Sequence, residues 1–245
     1  LARHRDQTVH FFVRRKGQES PVEITVKPRR FRTLGLWMGI GPVTAIKDNS
    51  PALKGGLKEN DVIAKVDGLV VGTQINPLEL PDYFGDRHGQ EVEIVVRRRI
   101  DGGEQKELKL KLTPLDKQGW IEKPHIGNSV SVPALGIAFQ LTSTVAHVVT
   151  DSPVDGQIKA EERIQKMELV LLPGAKPDQY GDEPIVIECD KTNEDKETIH
   201  SWAYAFWKMQ SVHTRNVKLH VQSPGEGDTG KVRVIELKPR PVNED

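Results

Sequence analysis

An α+β fold, mostly β with short helices and built as two tandem units behind an N-terminal β-hairpin, is what the sequence predicts. Three observations carry the prediction. An alternating strand–turn–strand segment closed by Pro occurs three times, and a glycine-led block of strands with a Ser-Pro turn occurs twice. The length, 245 residues, suits two compact domains.

The first hairpin runs Val9-His10-Phe11-Phe12-Val13-Arg14-Arg15, turns at Lys16-Gly17-Gln18 and returns as Val22-Glu23-Ile24-Thr25-Val26-Lys27-Pro28. Alternation on both arms gives one apolar face, and Pro, which has no N–H for a ladder, ends the second arm. This segment, residues 1–30, reads either as the tail of a further unit upstream or as an extra edge on the first complete unit.

The first complete unit spans 31–116. Leu34-Gly35-Leu36 leads one short strand, and Gly41-Pro42-Val43-Thr44-Ala45-Ile46 forms another. Ser50 then caps a short helix with Pro51 at its first position, where a missing N–H costs nothing, and Gly55 or Gly56 ends it in a left-handed conformation. Asn60-Asp61 turns the chain into the buried strand Val62-Ile63-Ala64-Lys65-Val66, and Asp67-Gly68 makes a tight hairpin turn. A short helix is expected over Leu78 to Arg87, then the second hairpin, Val92 to Arg98 and Leu108 to Leu112, closed by Pro114.

A linker over 117–132, with Gly, Pro and Asn scattered through it, leads to the second unit at 133–245. Leu135-Gly136-Ile137-Ala138 matches the first strand and Val145-Ala146-His147-Val148-Val149 the second. Asp151-Ser152-Pro153 repeats the helix-and-turn pattern, with Glu162 where Asp61 stands in the first unit. An acidic, Pro- and Gly-rich insertion near 169–193 replaces the Asp-Gly turn and holds a possible strand, Ile185-Val186-Ile187. Ile199, Trp202, Ala203, Phe206 and Met209 recur at helical spacing, which predicts a helix over Glu194 to Ser211. The third hairpin, Val217 to Val221 and Val232 to Leu237, closes at Pro239.

Composition narrows the function. Lys+Arg and Asp+Glu both total 35, so there is no cationic surplus for a phosphate backbone, and no nucleic-acid partner is expected. Arg97-Arg98-Arg99 and Lys27-Pro28-Arg29-Arg30 read as solvated strand ends. Cys189 is the single cysteine, which excludes an intrachain disulfide and a cysteine-based zinc site. Its neighbours Glu188 and Asp190 disfavour a thiolate. No His-Glu-x-x-His or Gly-x-Ser-x-Gly motif occurs, and the histidines lack ligand spacing, so neither catalysis nor a cofactor is expected in this segment. No run is long and apolar enough to span a bilayer. With Leu1 at its start and no signal pattern, the chain is expected to be part of a longer polypeptide.

The run from Leu34-Gly35-Leu36 through Gly41-Pro42-Val43, Asn49-Ser50-Pro51-Ala52, Gly56-Leu57 and Asn60-Asp61-Val62-Ile63 to Val66-Asp67-Gly68 resembles the PDZ family in its bacterial, circularly arranged form. Residues 133–240 resemble it more loosely. The resemblance implies two partly open β-barrels or sandwiches, each adding a peptide as an extra strand with its end against the glycine loop. It also implies carboxylate-binding loops at Leu34, Gly35, Leu36 and Trp37 and at Leu135, Gly136, Ile137 and Ala138. Pocket-lining helix residues would be Leu80, Tyr83 and Phe84 in the first unit, and Ile199, Trp202, Ala203 and Phe206 in the second. The alternative for Leu34 and Leu36 is a core role with Gly35 at a bend, and for the aromatic stripe a core role. Trp37 is a candidate groove plug, and Trp207, off the stripe, a candidate contact residue.

Tandem units of this kind resemble the extracytoplasmic region of bacterial site-2-type intramembrane zinc metalloproteases. That origin implies a non-catalytic, periplasmic segment that binds or filters protein substrates for a protease domain of the same polypeptide. Any zinc would then lie in that protease domain. A high-temperature-requirement serine protease and a non-protease peptide-binding scaffold are the other expectations.

Overall fold

The computed structural model describes residues 8–18, 20–27, 32–100, 102–117, 123–192, 198–212, 214–224 and 230–241. Strand takes 47% of the described residues and helix 11%, a mostly β fold with several sheets and no closed barrel among them.

The N-terminal hairpin is β1 (Val9–Val13) with β2 (Val22–Val26), followed by the short β3 (Arg32–Thr33). The first repeat continues with β4 (Leu36–Ile46), α1 (Pro51–Lys54), β5 (Val62–Val66), β6 (Leu69–Val70), a 3-10 turn at Pro77–Glu79, α2 (Leu80–Asp86), β7 (Val92–Arg99) and β8 (Gln105–Leu112). The second holds β9 (Val130–Val132), β10 (Ile137–Val148), β11 (Arg163–Leu171), β12 (Ile185–Glu188), β13 (Asp190–Thr192), β14 (Thr198–His200), α3 (Trp202–Ser211), β15 (Arg215–Gln222), β16 (Val232–Leu237) and β17 (Arg240–Pro241).

Local chemistry explains the turns. Ser50 accepts a hydrogen bond from the Leu53 N–H at 3.2 Å, with Pro51 at the head of α1. Asp67 and Gly68, at φ 47° and 82°, form the two-residue turn between β5 and β6 that their sequence demands. Both repeats use the left-handed region at matching places: Asn49 and Asp151 lie at φ 58°, and Asn60 and Glu161 at 69°. The Ser152-Pro153 segment of the second repeat forms turns rather than a helix.

Two expectations are corrected. The strands read as separate pairs at 34–36 and 41–46, and at 135–138 and 145–149, are single long strands, β4 and β10. They stay continuous, with several register shifts along the way, because each pairs with the other instead of folding back on itself. Leu36 pairs with Val148 and Ile46 with Ile137, so the start of each strand meets the end of its counterpart in an antiparallel, self-complementary contact. Gly39 permits the approach: a Cβ there would lie 2.8 Å from Thr142 Oγ1, which instead donates to the Gly39 carbonyl at 3.0 Å. The second correction concerns the helix expected over 194–211, which begins at Trp202; Ile199 lies on β14, paired with Lys191. Residues 194–197 of that expected helix lie outside the described residues.

The large sheet runs β16-β15-β11-β10-β4, with β9 on β10 and β12 on β11, and a smaller one runs β6-β5-β7-β8. One continuous core draws on both repeats, from Leu34, Phe84 and Ile94 to Phe139, Trp202 and Leu219. The β1–β2 hairpin is a two-stranded sheet by itself.

Each repeat anchors its central strand with a buried carboxylate. Asp61 accepts from the Lys58 N–H at 2.8 Å, while Arg98 donates through Nε and Nη2 at 2.7 Å each and reaches the Gly56 carbonyl at 2.8 Å. Glu162 accepts from the Lys159 N–H at 2.9 Å, and Arg233 forks it at 2.7 Å and 2.7 Å while reaching the Gln157 carbonyl. The arginines come from different strands. The β11–β15 register puts Ser223 opposite Glu162, where Arg98 stands opposite Asp61, and Arg233 arrives from β16. The guanidinium fork holds the Glu162 carboxyl below its ordinary range.

The insertion after β11 is tied down by Arg215, which is buried. It holds Asp178 at 2.8 and 2.9 Å and donates to the carbonyls of Leu169, Gly181 and Glu183. Arg215 holds the Asp178 carboxyl down, from 3.8 to about 2. Lys208 Nζ, on α3, sits 3.7 Å from the centre of the Tyr180 ring and fixes the loop from the other side.

Two outcomes follow from these pairs. Asp61→Ala should lower unfolding stability by about 3–5 kcal/mol in urea titrations, since it strands the partly buried Arg98, and Glu162→Ala by less, since Arg233 is 36% exposed; a loss below about 1 kcal/mol at both would show that the pairs carry no weight. The Asp178 carboxylate is favoured by folding, so its contribution is complete above about pH 4 and disappears as pH falls towards 2. Amide protection in the 172–184 segment, measured relative to intrinsic exchange at each pH, should therefore fall over that window in the native chain, and should be low at both ends of it in Asp178→Asn.

Candidate functional site

The two glycine loops are where sequence reasoning concentrates, and β3–β4 and β9–β10 position them. In the first, Gly35 sits at φ 82°, its N–H donating to Thr33 Oγ1 at 2.9 Å and its carbonyl accepting from the Val149 N–H at 2.9 Å. In the second, Gly136 sits at φ 70°, and the N–H groups of Leu135 and Gly136 both donate to the Val132 carbonyl, at 3.1 and 2.9 Å. The Gly136 carbonyl accepts from the Lys47 N–H at 2.8 Å, and the Leu135 carbonyl from the Ala52 N–H at 3.2 Å. Each loop is thus sewn to the other repeat.

Packing repeats the pattern. A Cβ on Gly35 would come within 2.0 Å of the Ser152 Cβ, and one on Gly136 within 2.6 Å of the Ser50 Cβ. The requirement for glycine is met by a protein neighbour rather than by space for an anion. Leu34, Leu36, Leu135 and Ile137 are buried in the core, while Trp37 and Ala138 are half-buried. The Trp37 ring centre lies 4.8 Å from that of His147, across the β4–β10 pair.

The strands flanking the loops are exchanged in the same way. Arg32, on β3, bonds the C-terminal end of α3: its guanidinium donates to the carbonyls of Met209, Val212 and Arg215, and its backbone exchanges hydrogen bonds with the Gln210 side chain. Cations at a helix C-terminus satisfy its last carbonyls and its negative dipole end. β17 pairs with β3, and β9 packs beside α2. Hence the loop of each repeat is flanked by the helix of the other. Leu34–Trp37 belongs with α3, and Leu135–Ala138 with α2.

On α2, Leu80 and Phe84 are buried, and Tyr83 is half-buried with its hydroxyl donating to Asp67 Oδ2 at 2.8 Å. Burial, then that hydrogen bond to a carboxylate, raise the Tyr83 phenol pKa, and the Arg87 guanidinium lies 3.5 Å over the ring. On α3, Trp202 and Ala203 are buried and Phe206 half-buried; Ile199 stands before the helix, near Gly127. Trp207 is half-buried, stacked near Tyr204 with Lys123 Nζ 4.5 Å from its ring centre.

The edge of β10 that would accept an added strand is also taken. Ile137, Ala138 and Phe139 have β4 on one side and β9 on the other, with Val130 and Val132 of β9 buried. An open cleft of about 1120 Å³ lies against β4, β9 and β10, reached by Ile46, Val130, Gly136, Ile137, Ala138 and Ala203. Its rim includes Lys47, Lys117, Lys123 and His125, with Asp116 as its acidic member. Sequence reading missed these lysines because they come from β4's end and the linker, segments with no shared motif.

Two side-chain groups test for chemistry. Ser143, His200 and Asp190 meet, but both Ser143 Oγ (3.2 Å) and Asp190 Oδ1 (3.3 Å) approach the same nitrogen, His200 Nδ1, and Ser143 donates to the Cys189 carbonyl. A relay needs the nucleophilic hydroxyl and the orienting carboxylate on opposite nitrogens of the imidazole base, so this is a packing cluster. Cys189 is buried, and burial followed by the charges of Glu188 and Asp190 pushes its thiol far up, away from a reactive thiolate. Among the described residues no group of three His, Cys, Asp or Glu side chains is arranged to hold a metal ion, and no helix is long and apolar enough to cross a membrane. No protein-family model matches the sequence, and no curated protein matches it significantly.

Gly35→Ala should destabilise the chain by more than the ~1 kcal/mol of a left-handed alanine, because the added methyl meets Ser152. Ser152→Gly should recover part of that loss, since the Ser152 Oγ is buried with no hydrogen-bond partner among the described residues and gives up little when removed. A double-mutant cycle in urea reads the coupling; additive losses would mean the two repeats do not touch there.

Proposed function

We propose that this chain is the non-catalytic, PDZ-like region of a membrane-associated zinc metalloprotease of the site-2 type, and that it filters protein substrates sterically on the periplasmic side. The observation that supports a filter over an end-binding groove is the mutual closure of the two glycine loops. The N–H groups of Gly35, Leu135 and Gly136 are all spent inside the chain, leaving a substrate's terminal carboxylate without those donors. The edge of β10 is likewise filled by β9, as an added peptide would fill it. Under this reading zinc and the reacting groups belong to the protease domain, and this region contributes bulk and shape.

The lysine-rimmed cleft favours a second reading, in which an acidic stretch of substrate rests beside Gly136 to Ala138. Such a contact would depend on salt and on the charge of the stretch, not on a free chain end.

Titrating the chain with a peptide library in paired free-acid and C-terminally amidated forms separates these from end recognition. The filter reading expects equal, weak binding of each pair. Any peptide bound more than about tenfold tighter as the free acid, a difference of ~1.4 kcal/mol, would overturn it.

A further inference from the structure

The β1–β2 hairpin carries a complete core-forming face with nothing of this chain over it among the described residues. Its register pairs Val9 with Val26, Phe11 with Ile24 and Val13 with Val22, so six apolar side chains share one face. Val13, Ile24 and Val26 are 38%, 38% and 47% exposed. A lone two-stranded hairpin is marginal in water.

What covers such a face is visible twice in the same chain. β7–β8 pairs Val92 with Leu112, Ile94 with Leu110 and Val96 with Leu108, and Val92, Ile94 and Val96 are at most 1% exposed because β5 pairs alongside and the core closes over them. β15–β16 pairs Val217 with Leu237 and Leu219 with Ile235, with β11 alongside. The three outer pairs Val9–Val26, Val92–Leu112 and Val217–Leu237 stand at the same spacing before Pro28, Pro114 and Pro239. On the opposite face, which also carries the exposed Phe12, His10 Nδ1 lies 2.6 Å from Glu23 where Glu93 meets Lys109 at 3.2 Å.

Charge agrees independently. Arg15, just past the end of β1, follows Val9 at the spacing by which Arg98 follows Val92. Arg98 forks Asp61 at the turn into β5; Arg15 is exposed, with no carboxylate against it among the described residues.

We propose that the β1–β2 hairpin is the docking surface for a further repeat unit lacking a closing hairpin of its own, preceding Val9 in the same polypeptide. Its covering strand is apolar, pairs antiparallel with β1, and follows a turn whose Asp or Glu is taken by Arg15. The order comes from the chain itself, since β5 precedes β7 and β11 precedes β15. The inference is independent of the filter reading.

Replacing residues 92–112 with residues 9–26 in the full chain tests it. The exchanged protein should melt cooperatively, Arg15→Glu in the transplanted copy should lower its melting temperature by roughly 10 °C, and Asp61→Lys should restore much of that loss. A folded transplant indifferent to Arg15→Glu would overturn the proposal. Should the transplant not fold, NMR of the unaltered chain titrated to millimolar with a synthetic Lys58–Gly68 peptide decides. Shifts and amide protection confined to β1, lost with an Asp61→Lys peptide, support the proposal. No change at β1 overturns it, as does concentration-dependent shifting without peptide, which would assign the face to a second copy of the chain.

Discussion

The antiparallel pairing of β4 with β10 is the contact on which the remaining architecture depends. Strands from two distant segments lie side by side, Leu36 against Val148 and Ile46 against Ile137, and the flanking loops then have no choice of neighbour. Gly35 must lie against Ser152, Gly136 against Ser50, Arg32 against the end of α3, and β9 against α2. Breaking the pair would expose two rows of backbone donors and acceptors and open the shared core at Phe139, Val145 and Met38. Pairings so far apart in sequence also carry a large closure entropy, so they form only when the core they complete offsets it.

This exchange alters the functional meaning of the loops. A glycine bend whose N–H groups face a groove is a receptor for a carboxylate; the same bend with its donors spent on Thr33 and Val132 is a hinge point in a clamp between repeats. Two surfaces among the described residues stay open: the lysine-rimmed cleft and the apolar face of the N-terminal hairpin. In the Ser143–His200–Asp190 cluster Ser143 donates to the Cys189 carbonyl and Asp190 pairs with Arg163, while Cys189 is buried.

Much of the local structure was legible because it rests on chemistry within a few residues. The Ser50 cap, the Asp67-Gly68 turn, the hairpin registers and the strand inside the insertion all follow from side-chain type and alternation. The equivalence of Asp61 and Glu162 was visible as spacing, but not that Arg233 would replace Arg98 from a neighbouring strand, since a cross-strand partner leaves no mark in the sequence order. Arg215 was equally hidden: the insertion it organises reads as an acidic, irregular loop, and only folding brings Asp178 and three carbonyls round one guanidinium.

By itself, the sequence determined a β-rich chain of repeated units, each with an apolar hairpin, a capped or turned Ser-Pro segment and a glycine-led strand, because periodicity and turn chemistry act over short distances. It also determined that each glycine loop must contain glycine. Which strand each glycine-led strand pairs with was decided only by the tertiary structure. A strand's edge offers the same donors and acceptors to any partner, so alternation selects the buried face but not the neighbour. That selection comes from the whole core, and it is what turned two apparent peptide edges into a single closed seam between the repeats.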